Sequence, residues 1–162
     1  MIDTGFPFQI CEFDRPDERV RALFDKQFHA PPPDFPRHFV AVLNQNSHAI
    51  SGYVHFTAHE PGVFLLGGLC VDSLVYRQLT ANDRAIVAAE GSLARWLMKN
   101  SIQRLGPLRA VFGYTGDTRS RRDTAALGFV PAAQPYLIVQ WHQQPFATRA
   151  ALVEAIVNLG PF

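Results

Sequence analysis

Val63-Phe64-Leu65-Leu66-Gly67-Gly68-Leu69-Cys70-Val71 is the stretch that decides the fold. Its apolar run is too continuous for a strand with one face in water, so it belongs at the centre of a sheet with both faces covered. Gly67 and Gly68 within it signal a bulge or a close approach of another backbone or side chain. A turn carrying Tyr76 and Arg77 follows, and then one long helix from about Thr80 to Ile102, with Ile86, Ala89, Leu93, Trp96 and Leu97 on one stripe and Gly106-Pro107 as its stop. A second apolar strand spans Ala110 to Tyr114, and a short helix runs from about Thr118 to Leu127, just before Gly128-Phe129. The order is strand, helix, strand, the pattern of a crossover between neighbouring strands.

On the amino-terminal side, Phe8 to Phe13 reads as a first strand. Asp14 is the expected cap of the next helix, about Arg15 to Gln27, with Pro16 and Asp17 in its first turn and Val20, Leu23, Phe24 and Phe28 on its buried face. Ala30-Pro31-Pro32-Pro33-Asp34-Phe35-Pro36 cannot continue a helix, because its prolines lack amide donors and hold the chain extended. His38 to Leu43 and Ile50 to Ala58 read as strands of a hairpin turning through Asn44-Gln45-Asn46-Ser47, and Pro61-Gly62 marks a second turn. Tyr136 to Trp141 alternates as a last strand. Phe146 to Leu159 reads as an amphipathic helix stopped by Gly160-Pro161. The expectation is one domain over residues 1–162, of α/β (α+β) class, with a helical extension at about 146–159.

Composition excludes several function classes. The 162 residues carry a formal charge of +1 with 18% charged and 48% apolar residues, which gives no electrostatic pull toward nucleic acid or an anionic membrane. No apolar run approaches the roughly 20 residues of a membrane helix, and Asp3 near the start does not fit a signal peptide, so a cytoplasmic location is expected. Cys11 and Cys70 read as two buried thiols rather than a disulfide framework. His55 and His59 would lie on one face of a strand but roughly 13 Å apart, too far to share an ion, and no metal site is expected. Neither a phosphate-binding Gly-x-x-x-x-Gly-Lys-Ser/Thr loop nor a Gly-x-Ser-x-Gly elbow occurs.

The order of parts from Phe64 to Phe129 resembles the acyl-CoA-binding half of the GNAT superfamily of N-acyltransferases, and the resemblance extends over roughly Phe8 to His142. It implies a central mixed, mostly antiparallel sheet with helices on both faces, acetyl-CoA or another acyl-CoA as cosubstrate, and an amine of a small molecule or peptide as acceptor. Only one helix fits between the first two strands, where the family usually has two. By the resemblance, backbone amides of Leu69, Cys70 and Val71 hold the thioester; the residue-level alternative is a buried strand with small residues for packing. Arg77-Gln78-Leu79-Thr80-Ala81-Asn82 stands where the family has an Arg/Gln-x-x-Gly-x-Gly/Ala pyrophosphate loop, with Arg77 matching and Thr80 and Asn82 replacing the glycines. Thr80-Ala81-Asn82-Asp83 equally fits a capping box that spends the same amides on the helix itself. Asp117 stands at the family's asparagine position, and the Leu127-Gly128-Phe129 close is the most specific local match.

The proton transfers are less well provided. Thr124 stands where many members carry a tyrosine that protonates the leaving thiolate, and threonine is a poor general acid. Tyr114 and Tyr76 are substitutes, each with packing as its plainer role. No glutamate stands on the central strand, which leaves His55, Glu60 and Asp72 as base candidates by elimination. Arg119, Arg121 and Arg122 offer either a contact for a CoA phosphate or a solvated helix face. Two functions follow. The leading one is an acyl-CoA-dependent N-acetyltransferase; the other is a binding or assembly protein on the same scaffold, with Ala151, Leu152, Ala155, Ile156 and Leu159 of the last helix as a homodimer contact.

Overall fold

A computed structural model describes residues 5–162, so the reading of Asp3 lies outside the described residues. Within them the strands are Phe8–Phe13 (β1), His38–Leu43 (β2), Asn46–Glu60 (β3), Val63–Val71 (β4), Ala110–Tyr114 (β5), Val130–Pro131 (β6) and Leu137–Trp141 (β7). The helices are Glu18–Phe28 (α1), Ser73–Arg77 (α2), Ala81–Ala89 (α3), Leu93–Ile102 (α4), Thr118–Ala126 (α5) and Phe146–Leu159 (α6). Among the described residues the strands hydrogen-bond in the order β1-β2-β3-β4-β5-β7-β6. The β4–β5 pair is parallel, while β1–β2, β2–β3, β5–β7 and β6–β7 are antiparallel, so the sheet is mixed and mostly antiparallel. Pro61-Gly62 turns β3 into β4, with Gly62 at φ +76°. By contact the chain forms two compact units, residues 5–55 with 68–104, and residues 56–67 with 105–162.

In the first unit, Val20, Leu23 and Phe24 of α1 pack with Val40, Val42, Ile50, Tyr53 and Cys70 in one core, and Cys11 packs against it as a free thiol. Two expectations for α1 are corrected. Its cap is Asp17, whose Oδ1 accepts from Val20 N at 3.0 Å, rather than Asp14, because Pro16 sits better ahead of the helix than within it. Phe28 is 41% exposed instead of facing the sheet. The β2–β3 hairpin turns on Asn44-Gln45 alone, and β3 already begins at Asn46.

The single helix expected over Thr80 to Ile102 is two. Gly91, at φ +94°, ends the run after α3, and Ser92 restarts it by accepting Arg95 N on Oγ at 2.9 Å. The buried stripe is accordingly Val87, Leu93, Leu97, Met98 and Ile102, with Ala89 exposed. The turn expected at Tyr76 and Arg77 is the short helix α2. Ser92→Ala is expected to cost about 1 kcal/mol, the usual value of a lost helix cap, measured as a fall in the urea midpoint. An unchanged midpoint would show that α4 is set by packing alone.

In the second unit, Val63, Leu65, Ala110, Phe112, Leu137, Val139, Leu152 and Ile156 form the core. The short strand β6 has no counterpart in the sequence reading. Helix α6 buries Leu152 and Ile156, whereas Ala151 and Ala155 are exposed and Leu159 is 51% exposed. Arg109 ties the unit together: its Nε donates to Gln144 Oε1 at 2.8 Å and its Nη1 to Glu60 Oε1 at 2.8 Å.

Candidate active site

The second half of β4 is built differently from the first. The β4–β5 ladder begins at Val63↔Ala110 and ends at Leu66↔Gly113, although β4 continues to Val71. On the other edge, Asp72 N donates to Ser51 O at 2.8 Å. Successive amides of a strand alternate between its edges, so the N–H groups of Leu69 and Val71 face away from β3. Gly68 permits the arrangement. It sits at φ +64°, and a Cβ there would stand 2.6 Å from Phe24 Cε2 and 3.4 Å from Tyr53 Cε1, so α1 lies directly against this part of the strand. The close approach signalled by the glycine pair is at Gly68; Gly67 has open space around it. Cys70, between Leu69 and Val71, is 5% exposed, and burial, with the Asp72 carboxylate adding to it, pushes its thiol up to about 12. It contributes backbone and packing, not a nucleophile.

Beyond β4 the chain makes two capped helix starts. Asp72 caps α2, its Oδ1 accepting Leu74 N at 2.9 Å, and holds Lys26 Nζ at 3.3 Å, which engages the carboxylate weighed as a base. Arg77 and Gln78 are exposed at the end of α2, Leu79 is buried, and Thr80 caps α3. Thr80 Oγ1 accepts Asp83 N at 3.1 Å and donates to Asp83 Oδ2 at 2.8 Å, so the capping arrangement weighed from the sequence is formed. It leaves a carboxylate in the first turn of α3, with Ala81 and Asn82 exposed beside it. Arg84 lies back over the same loop, its Nη1 donating to Arg77 O at 3.3 Å. That second arginine was missed from the sequence, where it reads as one more helix charge.

Leu69, Cys70, Val71, the Arg77 to Asn82 loop and His55 share the first unit, while Glu60, Tyr114 and Asp117 belong to the second. His55 is 2% exposed with its ring 4.6 Å from that of His38; burial, and then His38, push its pKa down to about 4. A covered imidazole that holds a proton so weakly suits packing better than base catalysis. Glu60 is half in water and paired to Arg109. Tyr114 donates through its hydroxyl to Gln134 Oε1 at 3.3 Å and meets Phe162 edge to face. Asp117 caps α5 by accepting Ser120 N at 2.9 Å, and its hydrogen bonding to Ser120 lowers its pKa. Thr124 Oγ1 donates into its own helix, to Ser120 O at 2.8 Å, so its hydroxyl proton is already used. Arg121 is exposed and lies 5.0 Å over the Tyr136 ring.

No protein-family model and no curated protein matches the sequence. Solved structures do match its fold. The ribosomal-protein-S5-alanine acetyltransferase of Vibrio fischeri aligns with 86% of this chain and 96% of its own, at a TM-score of 0.56 and 15% identity. The GNAT-family N-acetyltransferase YhbS of Escherichia coli, solved with CoA, aligns with 87% of this chain and 84% of its own, at 0.54 and 19%. The chain has the GNAT fold. NAA60 of Arabidopsis thaliana, in complex with a bisubstrate analogue, aligns with 82% of this chain and 98% of its own, at 0.56 and 14%. Within the GNAT fold, this chain carries α1 alone between β1 and β2, as its sequence implies, and crosses to β2 through the proline-rich connector. It keeps the strand on which the GNAT resemblance places the thioester, and replaces the glycines of the following loop with a self-capped helix start.

Proposed function

We propose that the chain is an acyl-CoA-dependent N-acyltransferase that passes an acetyl group to the amine of a small molecule or peptide. The observation that carries this reading is the pair of main-chain donors at Leu69 and Val71, turned away from β3 on a strand that outruns its β5 ladder. The amine nitrogen forms its bond to the thioester carbon, and negative charge collects on the carbonyl oxygen. Collapse breaks the carbon–sulfur bond, and the proton lost by the amine nitrogen passes through water to the departing sulfur, so that a neutral amide forms and CoA leaves as the thiol. Fixed N–H donors stabilise the oxygen whatever side chains stand beside them. Arg77, Gln78, Leu79, Thr80, Ala81 and Asn82 take the pyrophosphate, with Arg77 and Arg84 supplying the positive charge that Asp83 partly offsets. That YhbS was solved with CoA supports the cosubstrate, and the alanine acetyltransferase supports an amine acceptor.

Acetyl-CoA is expected to raise the melting temperature by several degrees at a concentration about 100 times its dissociation constant, where linkage supplies about 2.7 kcal/mol. Arg77→Ala should weaken binding about tenfold, the worth of one charge-assisted contact. Absence of any shift at millimolar acetyl-CoA would refute the proposal. A second reading, binding without turnover, is favoured by the Asp83 carboxylate in the first turn of α3 and by the Thr124 hydroxyl committed to Ser120. Mass spectrometry of the denatured, freshly purified protein separates the two: co-purified CoA with no transfer to a panel of amines would favour the second.

A further inference from the structure

A cavity of about 550 Å³ lies wholly within the second unit, lined by α5 and by the segment that runs from Phe129 through β6 into β7. The proposed transfer reaction uses none of its side chains. Phe129, Leu137 and Ile138 are buried and give it an apolar floor, and Pro131 and Ala132 line it beside them. Thr124 adds no donor, because its hydroxyl is bonded within α5 to Ser120 O at 2.8 Å and to Arg121 O at 3.1 Å. The backbone adds few. Pro131 and Pro135 have no N–H, and those of Ala132 and Leu137 are taken by Leu137 O at 2.9 Å and Gln134 O at 3.3 Å. Size and lining are those of a site for a small molecule.

The rim is polar and carries one sign of charge. Arg121 is exposed, its guanidinium lies 5.0 Å over the Tyr136 ring, and among the described residues no carboxylate pairs with it. Gln134 Oε1 accepts from the Tyr114 hydroxyl at 3.3 Å, so what Gln134 has left for a ligand is its NH2 group, a second donor. Tyr136 itself is kept in an uncommon conformation. It stands at φ 70°, third in a turn closed by Leu137 N on Gln134 O, where Pro135 suits the second place and glycine is the usual third. A tyrosine there is strained, and Thr115 N, donating to its carbonyl at 2.8 Å, holds it. The strain keeps an aromatic ring beside a guanidinium at the mouth of an apolar cavity.

We propose that this cavity is a binding site for an apolar monocarboxylate, whose carboxylate meets Arg121 and Gln134 while its hydrocarbon body rests on Phe129, Leu137 and Ile138. Both polar side chains at the rim offer donors, so the ligand must bring acceptors. The one cation balances one negative charge, and a guanidinium gives a planar carboxylate two parallel N–H bonds. Other ligands fit less well. An ammonium group would meet the like charge of Arg121, and a phosphate dianion would find a single cation above an apolar floor. A neutral molecule would gain from the floor alone. The site stands on the second unit by itself and is independent of whether the chain transfers an acyl group.

Titration of the full chain with phenylacetate at neutral pH, followed by NMR, tests it. The methyl signals of Leu137 and Ile138 and the side-chain signals of Arg121 are expected to shift together and saturate, with a dissociation constant of about 1 mM or tighter. Phenylacetamide and the phenethylammonium ion, of nearly the same shape, should bind about tenfold more weakly or worse, and acetate, which lacks the body, likewise. Arg121→Gln should weaken phenylacetate by about tenfold, down to the level of the amide. Ala125→Trp fills the cavity from an exposed position of α5 and should abolish binding. Equal affinity for the acid, the amide and the ammonium ion would overturn the proposal, as would unchanged affinity in Arg121→Gln or no saturable shift of Leu137 and Ile138. Acetyl-CoA is the remaining arm. Displacement of phenylacetate by acetyl-CoA at these same signals would give the cavity to the cosubstrate and also refute a carboxylate site, whereas binding of both together is the result expected.

Discussion

Gly68→Ala is expected to destabilise the protein by about 3 kcal/mol, the sum of two penalties at one position. Alanine at φ +64° adopts a left-handed conformation that costs about 1–2 kcal/mol. Its Cβ would also stand 2.6 Å from Phe24 Cε2. That ring cannot yield cheaply, because Phe28 lies 4.6 Å from it and Tyr53 meets it edge-on at 5.7 Å, so overpacking adds about 1–3 kcal/mol. For a chain of this size the fall in melting temperature should be roughly 6–12 °C. Gly67→Ala is the control: nothing stands within 4 Å of its Cβ and its φ is ordinary, so it should stay within about 0.5 kcal/mol of the wild type. Thermal unfolding followed by circular dichroism distinguishes the two, and equal effects would contradict the close approach of α1 to β4.

Acid is expected to produce a loss of similar size through His55. Its folded pKa lies at about 4, below the ordinary 6.5, so between those values the unfolded chain binds the proton and the folded chain does not. Stability is therefore full above pH 6.5 and falls as the pH drops toward 4. The integrated loss is at most about 3 kcal/mol, since each pKa unit corresponds to about 1.4 kcal/mol. Urea midpoints at neutral pH and near pH 4 measure the slope. His55→Phe, which removes the group, should flatten it, and an unchanged slope in the variant would place the acid sensitivity elsewhere.

Much of this architecture could be read from residues alone, because the signals were local. The boundaries of β1, β2, β4, β5 and α6 follow from apolar runs bounded by Gly, Pro and Asn, and the parallel β4–β5 pair follows from the helical crossover between them. The break between α3 and α4 was equally local, a Gly91-Ser92 stop and start overridden by an apolar stripe that continues through it. The histidine pair was not legible. A two-residue turn pairs Leu43 with Asn46, and an unbroken ladder from there would set His38 opposite Ser51. Register shifts between Ala41 and Val42 and between Val42 and Leu43 move its partner to His55 instead. Such shifts are decided by how the strands pack, not by the turn. At the site, the weight of the letters was legible and their use was not: Thr80 and Asp83 suit a cap or a phosphate equally until the hydroxyl is seen bonded to the carboxylate.

The central claim is that the N–H groups of Leu69 and Val71 are held free to grip a thioester. Amide hydrogen exchange at these two residues, measured with and without acetyl-CoA, tests it most directly. Rapid exchange in the free chain and strong protection on adding acetyl-CoA is the result expected. Protection already equal to that of Val63 to Leu66 in the free chain, and unmoved by acetyl-CoA, would contradict it.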